Sequence, residues 1–247
     1  DPPGATLILI VDDDGGRGRY TCDLLLNQNP SADPALYTGK TEARLLLGPA
    51  YALLRRDIRA WRGWHRPIAP VANSLLITFG GSDPGVHTER ALDALALLPP
   101  DFDLTVRVLV GGGNPRLLEL RDRAARLSGV EVIHDAQDVG ALIRQSDMVL
   151  SAAGSTLWEL AVMAAPMMIG AAVPVEHQPA QAMAARGAAI DLGPLDHVSP
   201  ETLAASLYDL ARNPTRRTAL SVAARAVVDG KGVDRVLDAM LDGMARP

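Results

Sequence analysis

The residues best suited to bind a ligand lie between Ser151 and Leu160, where small residues join a hydrophobic strand to a helix. The pattern predicts a buried strand over 147–150, a turn at Gly154 and a helix from Thr156. Because the first amides of a helix are unpaired and its dipole is positive at that end, we expect the turn to bind a diphosphate. Glu159, one turn further on, can reach ribose hydroxyls. A capped helix with a surface glutamate is the alternative interpretation.

Two glycine-rich turns also follow predicted strands. One contains Gly81 and Ser82, and the other spans residues 111–114. Either turn could need glycine for its own geometry, or could let the backbone approach a ligand closely. Together with the turn at Gly154, they favour a crevice for a phosphate-containing ligand, with Gly81 and Ser82 in its wall. Neither has the Gly-x-Gly-x-x-Gly spacing at the start of a first helix, which argues against NAD.

Residues 174–178 follow another predicted strand, so their polar side chains would face the same crevice. Gln178 could bind sugar hydroxyls as both donor and acceptor, or could be a polar residue at a helix start. His134 and His177 could titrate near neutral pH. Both are predicted to lie in loops without a carboxylate partner, so we expect them to line the crevice rather than to catalyse. No Gly-x-Ser-x-Gly elbow is present, which argues against a serine hydrolase.

Three carboxylates in a row, Asp12, Asp13 and Asp14, follow the first predicted strand and would suit a metal ion. The glycines after them lack the ligand spacing that a hard cation needs, so we expect neither a metal nor another cofactor. The lone Cys22 excludes an internal disulfide framework and a cysteine-rich metal site.

The composition of the 247-residue chain is that of an ordinary globular enzyme, with 48% hydrophobic and 21% charged residues. The net charge of −5 comes from interspersed acidic and basic residues, without the basic stripe of a nucleic-acid-binding protein. No segment has the length and apolarity of a membrane span, and residues 1–4 have no feature of a secretory signal. We therefore expect a cytoplasmic monomer that binds no nucleic acid and has no membrane span.

Strand and helix patterns alternate from about residue 74 to residue 190, which predicts a Rossmann-like domain with a parallel sheet and helices on both faces. The part before it contains short strands and a short helix over 51–56, followed by a linker over 61–71. Three helices close the chain, and the last is expected to cross back. The sequence thus predicts an α/β protein with an incomplete N-terminal Rossmann-like domain and linker over 1–71 and a nucleotide-binding domain over 72–247.

Six segments together resemble the UDP-sugar hydrolases of pseudaminic acid biosynthesis: VDD (11–13), CDLLLNQN (22–29), LGPAYALLR (47–55), FGGSD (79–83), AGSTLWE (153–159) and DGKG (229–232). This family removes UDP from UDP-2,4-diacetamido-2,4,6-trideoxy-β-L-altropyranose. Its relatives include spore-coat polysaccharide proteins and, more distantly, the peptidoglycan N-acetylglucosaminyltransferase. The resemblance therefore implies the two-domain GT-B fold. The chain departs from the family at His177-Gln178, where members have Asn-Gln, and at its start, where members have a further half-domain with a Gly-x-Gly-His-x-x-Arg turn.

The resemblance also implies roles for five residues. The turn Gly154-Ser155-Thr156 would bind the diphosphate. Glu159 would bind the ribose hydroxyls, and the backbone near Ala136 would bind the uracil. Water would attack the anomeric carbon of a UDP-sugar, with a base supplied by the further half-domain, so we expect this chain to bind UDP without turning over substrate. Two alternatives stay open: a glycosyltransferase with the same nucleotide site, and a non-catalytic module that binds nucleotide sugars.

Overall fold

The computed structural model describes residues 6–244, and the expectation about residues 1–4 lies outside that range. Within it there are nine strands: β1 (Leu9–Val11), β2 (Leu24–Asn27), β3 (Arg44–Leu47), β4 (Ser74–Thr78), β5 (Thr105–Val110), β6 (Val130–His134), β7 (Met148–Ala152), β8 (Met167–Ala171) and β9 (Ile190–Pro194). The same range contains nine α-helices: α1 (Arg56–Arg59), α2 (His87–Leu95), α3 (Leu117–Ala124), α4 (Val139–Arg144), α5 (Thr156–Val162), α6 (His177–Ala185), α7 (Pro200–Arg212), α8 (Pro214–Val227) and α9 (Gly232–Met244).

The strands form two parallel sheets. The smaller sheet has the order β1-β2-β3, and the larger has the order β6-β5-β4-β7-β8-β9. In the larger sheet a helix lies between every two consecutive strands, so each strand starts again from the same end and pairs in parallel. The predicted α/β architecture with parallel sheets is confirmed. The division of the chain at residue 71 stays a prediction.

Helices cover both faces of the larger sheet. Along β4, Leu75 and Ile77 point into one core, which also contains Leu207 of α7. Leu76 points into the opposite core, which also contains Trp158 of α5. Because neighbouring strand residues alternate between two buried faces, the strand is hydrophobic throughout, as its sequence indicates.

The last helix, α9, packs on the smaller sheet. Its Val236 and Ala239 belong to one buried cluster with Leu24, Leu26 and Leu46 from the strands. The chain therefore returns to the smaller sheet after building the larger one, which is the crossing expected for this helix. Burial of these five apolar side chains stabilises the contact between the first and last parts of the described chain.

The segment 61–71 has no regular structure, as predicted, but two arginines hold it in place. Arg66 donates to main-chain carbonyls at the ends of α4 and α5, at 2.9 and 3.2 Å. The buried Arg217 of α8 donates to the carbonyl of Ala69 at 2.5 Å. The segment is thereby fixed to the larger sheet, which determines where the residues before it meet that sheet.

The helix predicted over 51–56 is wrong in most of its length. Residues 52–55 are extended between a 3-10 turn and α1. Ala52 and Leu54 are buried, whereas Leu53 between them is 39% exposed. The amide of Leu53 donates to the Gln28 side chain at 2.9 Å, so a contact from a distant part of the chain replaces a helical bond. The extended form is favoured over the helix for two reasons. Burial alternates along residues 52–54, and the Leu53 amide has a partner outside the segment.

The last strand lies further along the chain than predicted, since the predicted alternation ends at residue 190 and β9 spans Ile190–Pro194. Gly187, at a φ of +67°, follows the end of α6, and Ala188 and Ala189 are then buried before the strand begins. The pairing of β9 with β8 is irregular. A strand that ends in Gly193-Pro194 lacks the β-branched pattern by which a strand is recognised in a sequence.

Candidate functional site

Three turns lie side by side at the carboxyl end of the larger sheet. Thr78 of β4 pairs in register with Leu109 of β5 on one side and with Ser151 of β7 on the other. The turns that follow these strands therefore meet at one edge of the sheet. This edge is where ligands bind in open parallel sheets.

The turn at Gly154 presents unpaired main-chain amides. Within the described residues, the amides of Gly154, Ser155 and Thr156 donate to no acceptor, whereas the preceding amide of Ala153 donates to Gly170 O at 2.9 Å. The residue Ser155 is exposed. Three unpaired amides in one turn, at the start of α5, are the donors that a bound anion requires.

A carboxylate lies over this turn. Glu176, in a 3-10 turn after β8, accepts a hydrogen bond from Ala172 N at 2.8 Å through Oε2. Its Oε1 lies 2.9 Å from the position that a Cβ on Gly154 would occupy. A side chain at this position would have to displace the end of the flexible Glu176 side chain. Glu176 occupies part of the volume above the free amides and adds negative charge there.

Glu159 is held by an arginine from the extended segment before the linker. Its Oε1 lies 2.9 Å from Arg55 Nε, and its side chain is only 14% exposed. Burial raises the pKa of the Glu159 carboxyl above its ordinary value, and the Arg55 guanidinium opposes that shift. The ion pair keeps a mostly buried carboxylate available as a hydrogen-bond acceptor, one helical turn beyond Gly154.

The other two turns are in contact with each other. A Cβ on Gly111 would lie 2.5 Å from Gly81 Cα, so the close approach requires glycine. Arg116 donates to the carbonyl of Asp83, which ties the two turns together. Gly81 and Ser82 are exposed, and nothing lies within 4 Å of a Cβ added to Gly81. The turn at 111–114 therefore supports the turn with Gly81 and Ser82, which is open to the crevice.

Ala136 lies in the turn between β6 and α4. Its amide and carbonyl make no hydrogen bond to any other residue in 6–244. Its side chain packs against the core that also contains Leu157 of α5. The preceding Asp135 has a φ of +48°. One free donor and one free acceptor on the same residue match the hydrogen-bonding edge of a pyrimidine base.

Gln178 lines a cavity of about 550 Å³ together with Asp13 and Asp14, which come from the loop after β1. The cavity thus brings together residues from both sheets. His177 begins α6 and His134 ends β6, so the expectation that both lie in loops is wrong. A helix starts directly from the 3-10 turn at Pro174–Glu176, and His134 pairs in register with Val110. His134 is three strand positions from β7, away from Gln178.

No three His, Cys, Asp or Glu side chains within residues 6–244 are gathered as a metal site would need. The same part of the chain has no helix long and apolar enough to cross a bilayer. The first of the three consecutive aspartates, Asp12, is buried and accepts hydrogen bonds from Tyr20 and Tyr37.

Two residues at the site were missed by the sequence reasoning. Arg55 belongs to the segment 47–55, which carries the family resemblance, but its predicted helix concealed that it reaches Glu159. Glu176 precedes His177 in the chain and showed no pattern that would place it above Gly154. Of the two, only Arg55 could have been found from the sequence. It is the last residue of a motif to which no role was assigned.

No protein-family model matches the chain. In sequence it is similar to the spore coat polysaccharide biosynthesis protein SpsG of Bacillus subtilis, with 27% identity over 95% of this chain and 69% of that protein. It is also similar to the UDP-N-acetylglucosamine--N-acetylmuramyl-(pentapeptide) pyrophosphoryl-undecaprenol N-acetylglucosamine transferase of Syntrophotalea carbinolica, with 30% identity over 66% of this chain. The chain spans about half the length of that transferase, 47%.

In three dimensions the chain is similar to MurG of Acinetobacter baumannii. The TM-score is 0.63 at 17% identity, over 95% of this chain and 66% of that one. The chain has the GT-B fold. The fold implied by the resemblance is thus confirmed, with parallel sheets of three and six strands.

The expectation of a UDP-sugar hydrolase is wrong. One sequence relative is named for its activity, and that activity is transfer of N-acetylglucosamine rather than hydrolysis. The wider relationship to SpsG and to the MurG-like GT-B proteins holds. The motifs that carried the resemblance include the strand, turn and helix around Gly154, and such motifs describe how a nucleotide is held rather than what attacks the sugar.

Proposed function

We propose that this chain is a glycosyltransferase that uses a UDP-sugar as donor in the biosynthesis of a polysaccharide. The observation that carries the proposal is the turn of free amides at Gly154, followed one helical turn later by the mostly buried carboxylate of Glu159. A diphosphate needs such donors, and a ribose needs such an acceptor. The similarity to a transferase and to a polysaccharide biosynthesis protein supports the same class.

The amides of Gly154, Ser155 and Thr156 would bind the diphosphate of the donor. Because the turn between β7 and α5 fixes their directions, they need no reorganisation when negative charge grows on the departing UDP. Glu176 must move away before a phosphate can reach them. That movement breaks its hydrogen bond to Ala172 N and removes a like charge from the anion site.

The nucleoside would lie beside the diphosphate, along the crevice. Glu159 would accept hydrogen bonds from the ribose hydroxyls while Arg55 keeps it ionised. The free amide and carbonyl of Ala136 would pair with the uracil edge. These three residues come from different segments, so the site depends on the larger sheet and the extended segment together.

The sugar would extend from the diphosphate towards the cavity between the two sheets. Gly81 and Ser82 are exposed at the neighbouring turn. Gln178 lines the cavity, where its amide can both donate to and accept from hydroxyls. His177, next to Gln178 in the chain, is half-buried and would lie near the sugar.

The test is the release of UDP from UDP-N-acetylglucosamine, UDP-N-acetylgalactosamine and UDP-glucose, with and without a panel of methyl glycosides as acceptors. A transferase releases UDP faster with an acceptor and forms a glycosylated product that mass spectrometry detects. UDP binding with no product under any condition would instead identify a non-catalytic binding module. Absence of UDP binding would overturn the proposal altogether.

A further inference from the structure

Three consecutive aspartates after β1 make different contacts, and Asp13 and Asp14 are both exposed. Asp12 is buried, and its carboxylate accepts hydrogen bonds from the Tyr20 and Tyr37 hydroxyls at 3.0 and 2.9 Å. Asp14 is exposed and accepts from Gly16 N at 2.8 Å, within its own turn. The two tyrosine contacts hold Asp12 in the fold, and the Gly16 contact holds Asp14 within its own turn. The side chain of Asp13 makes neither kind of contact.

The carboxylate of Asp13 has few partners within residues 6–244. Its one hydrogen bond there, from Asn29 Nδ2 to Oδ1, is long at 3.4 Å, and it forms no ion pair in that range. A carboxylate engaged so weakly keeps its lone pairs available to a new proton donor.

The backbone of Asp13, in contrast, is held firmly. Its carbonyl accepts from the side chains of two buried asparagines, Asn27 at 3.1 Å and Asn29 at 2.9 Å. Asn27 Nδ2 also donates to the Tyr37 hydroxyl at 2.8 Å, so the clamp is continuous with the buried network around Asp12. A residue fixed through its main chain, with its side chain left uncommitted, is the arrangement that a preorganised functional group requires.

Asp13 is held at the wall of the cavity between the two sheets. It lines that cavity together with Gln178, Pro174 and Val175 of the larger-sheet part. The same segment carries Glu176, whose carboxylate lies over the Gly154 turn. The cavity therefore borders the segment whose Glu176 reaches the proposed diphosphate site, and Asp13 belongs to the wall that the smaller-sheet part contributes.

We propose that Asp13 is the catalytic base of the transfer, an inference that rests on the function proposed above. The acceptor hydroxyl oxygen forms a bond to the anomeric carbon of the donor as the bond from that carbon to the β-phosphate oxygen breaks. The electron pair of the broken bond leaves with UDP, and the proton of the hydroxyl passes to the Asp13 carboxylate. A base from the smaller-sheet part, with the diphosphate bound by the larger-sheet part, suits attack from the face of the sugar away from UDP.

The test compares wild type with Asp13→Asn, using the UDP-sugar and acceptor pair that gives the fastest UDP release in wild type. Asp13→Asn should lower kcat by about 10²- to 10⁴-fold, the range for loss of a general base, and should remove the acidic limb of the pH profile of kcat/KM. UDP affinity should stay within about twofold, because Asp13 does not contact the nucleotide in this account. Since the asparagine clamp holds the Asp13 carbonyl, the variant keeps the bonds that order the loop, which its melting temperature verifies.

Asp122→Asn on α3 is the control, since Asp122 is exposed and the substitution removes the same charge away from the cavity. Its kcat should stay within about threefold of wild type. Suppose that wild type turns over and that Asp13→Asn is equally active, or that both variants are equally impaired. Either result would overturn the assignment of the base and leave the proposed function standing. A wild type that releases UDP from no donor with any acceptor would overturn the proposed function and the assignment with it.

Discussion

Arg55 and Glu159 form an ion pair between the extended segment at 52–55 and the first turns of α5, with 2.9 Å between Arg55 Nε and Glu159 Oε1. The glutamate is 14% exposed and the arginine 48% exposed, so the pair has one mostly buried and one solvated partner. Such a pair contributes little net stability, but loss of the cation leaves a buried carboxylate without its counter-charge. The pair therefore matters more for the ionisation of Glu159 than for the fold.

Arg55→Gln should weaken UDP binding and make it more sensitive to acid. Burial already raises the pKa of Glu159, and removing the Arg55 charge raises it further. Ribose hydroxyls bind the ionised form in this account, so the pH below which UDP affinity declines should move upwards. At neutral pH the loss should be about 1–2 kcal/mol. Calorimetry between pH 5 and 8 measures it, with the exposed neighbour Arg56→Gln as control. A pH profile shared by wild type and Arg55→Gln would contradict the coupling.

Glu176→Gln should tighten UDP binding. The carboxylate lies over Gly154, where the diphosphate is proposed to bind, and the amide keeps its size while losing its charge. Removing a like charge a few ångströms from a phosphate should gain roughly 1 kcal/mol after solvent screening, or about fivefold in affinity. Glu119→Gln on α3 serves as a distant control. Weaker binding by Glu176→Gln would show that this carboxylate supports the site rather than blocks it.

The local pattern at 147–163 could be predicted from the sequence because four consecutive apolar or small residues, a glycine and a helical periodicity occur within a short stretch. The contacts of that stretch could not. Arg55 reaches Glu159 because Gln28 from the smaller sheet holds the Leu53 amide and keeps the segment extended, a tertiary effect that outweighs local helix propensity. Glu176 lies over Gly154 because β8 pairs beside β7, which no local pattern encodes.

The proposed base, Asp13, could not be predicted from the sequence either. Three aspartates in a row appear equivalent in a sequence, and they were considered together as a metal site. Contacts with distant residues distinguish the first two, since Tyr20 and Tyr37 bind the Asp12 carboxylate and Asn27 binds the Asp13 carbonyl. The hydrolase expectation failed for a related reason, because the recognised motifs describe nucleotide binding and leave the attacking group undefined.

Gly111→Ala should destabilise the chain by about 1–3 kcal/mol, the usual cost of overpacking. Its new Cβ would lie 2.5 Å from Gly81 Cα and 2.7 Å from Gly81 O, and backbone atoms cannot move aside as a flexible side chain can. Gly112→Ala is the matched control, since its Cβ would meet only the Asp135 carboxylate at 3.7 Å. Urea unfolding of both variants measures the difference. Equal stability of the two would show that the turns can separate without cost.

Asp229→Asn should lower stability at neutral pH but not at strongly acidic pH. The Arg235 hydrogen bonds hold the pKa of Asp229 at about 2, below its ordinary 3.8. A depressed carboxylate pKa gives stability that is present above the unfolded pKa and is lost as pH falls through the folded one. Both side chains are partly exposed, so the effect should stay below about 1 kcal/mol. Unfolding at pH 7, 4 and 2.5 tests it, with Asp238→Asn on the exposed side of α9 as control. A constant difference between Asp229→Asn and wild type at all three values would contradict the linkage.

The most direct test of the account is calorimetric titration of UDP into wild type and Glu159→Ala, with Glu119→Ala as control. We predict that wild type and the control bind UDP equally, and that Glu159→Ala binds it about 1–3 kcal/mol more weakly, the range for losing a charged hydrogen-bonding partner. This corresponds to a loss of roughly 5- to 150-fold in affinity. Equal UDP affinity in all three proteins would remove Glu159 from the site and contradict the proposed nucleotide-binding crevice.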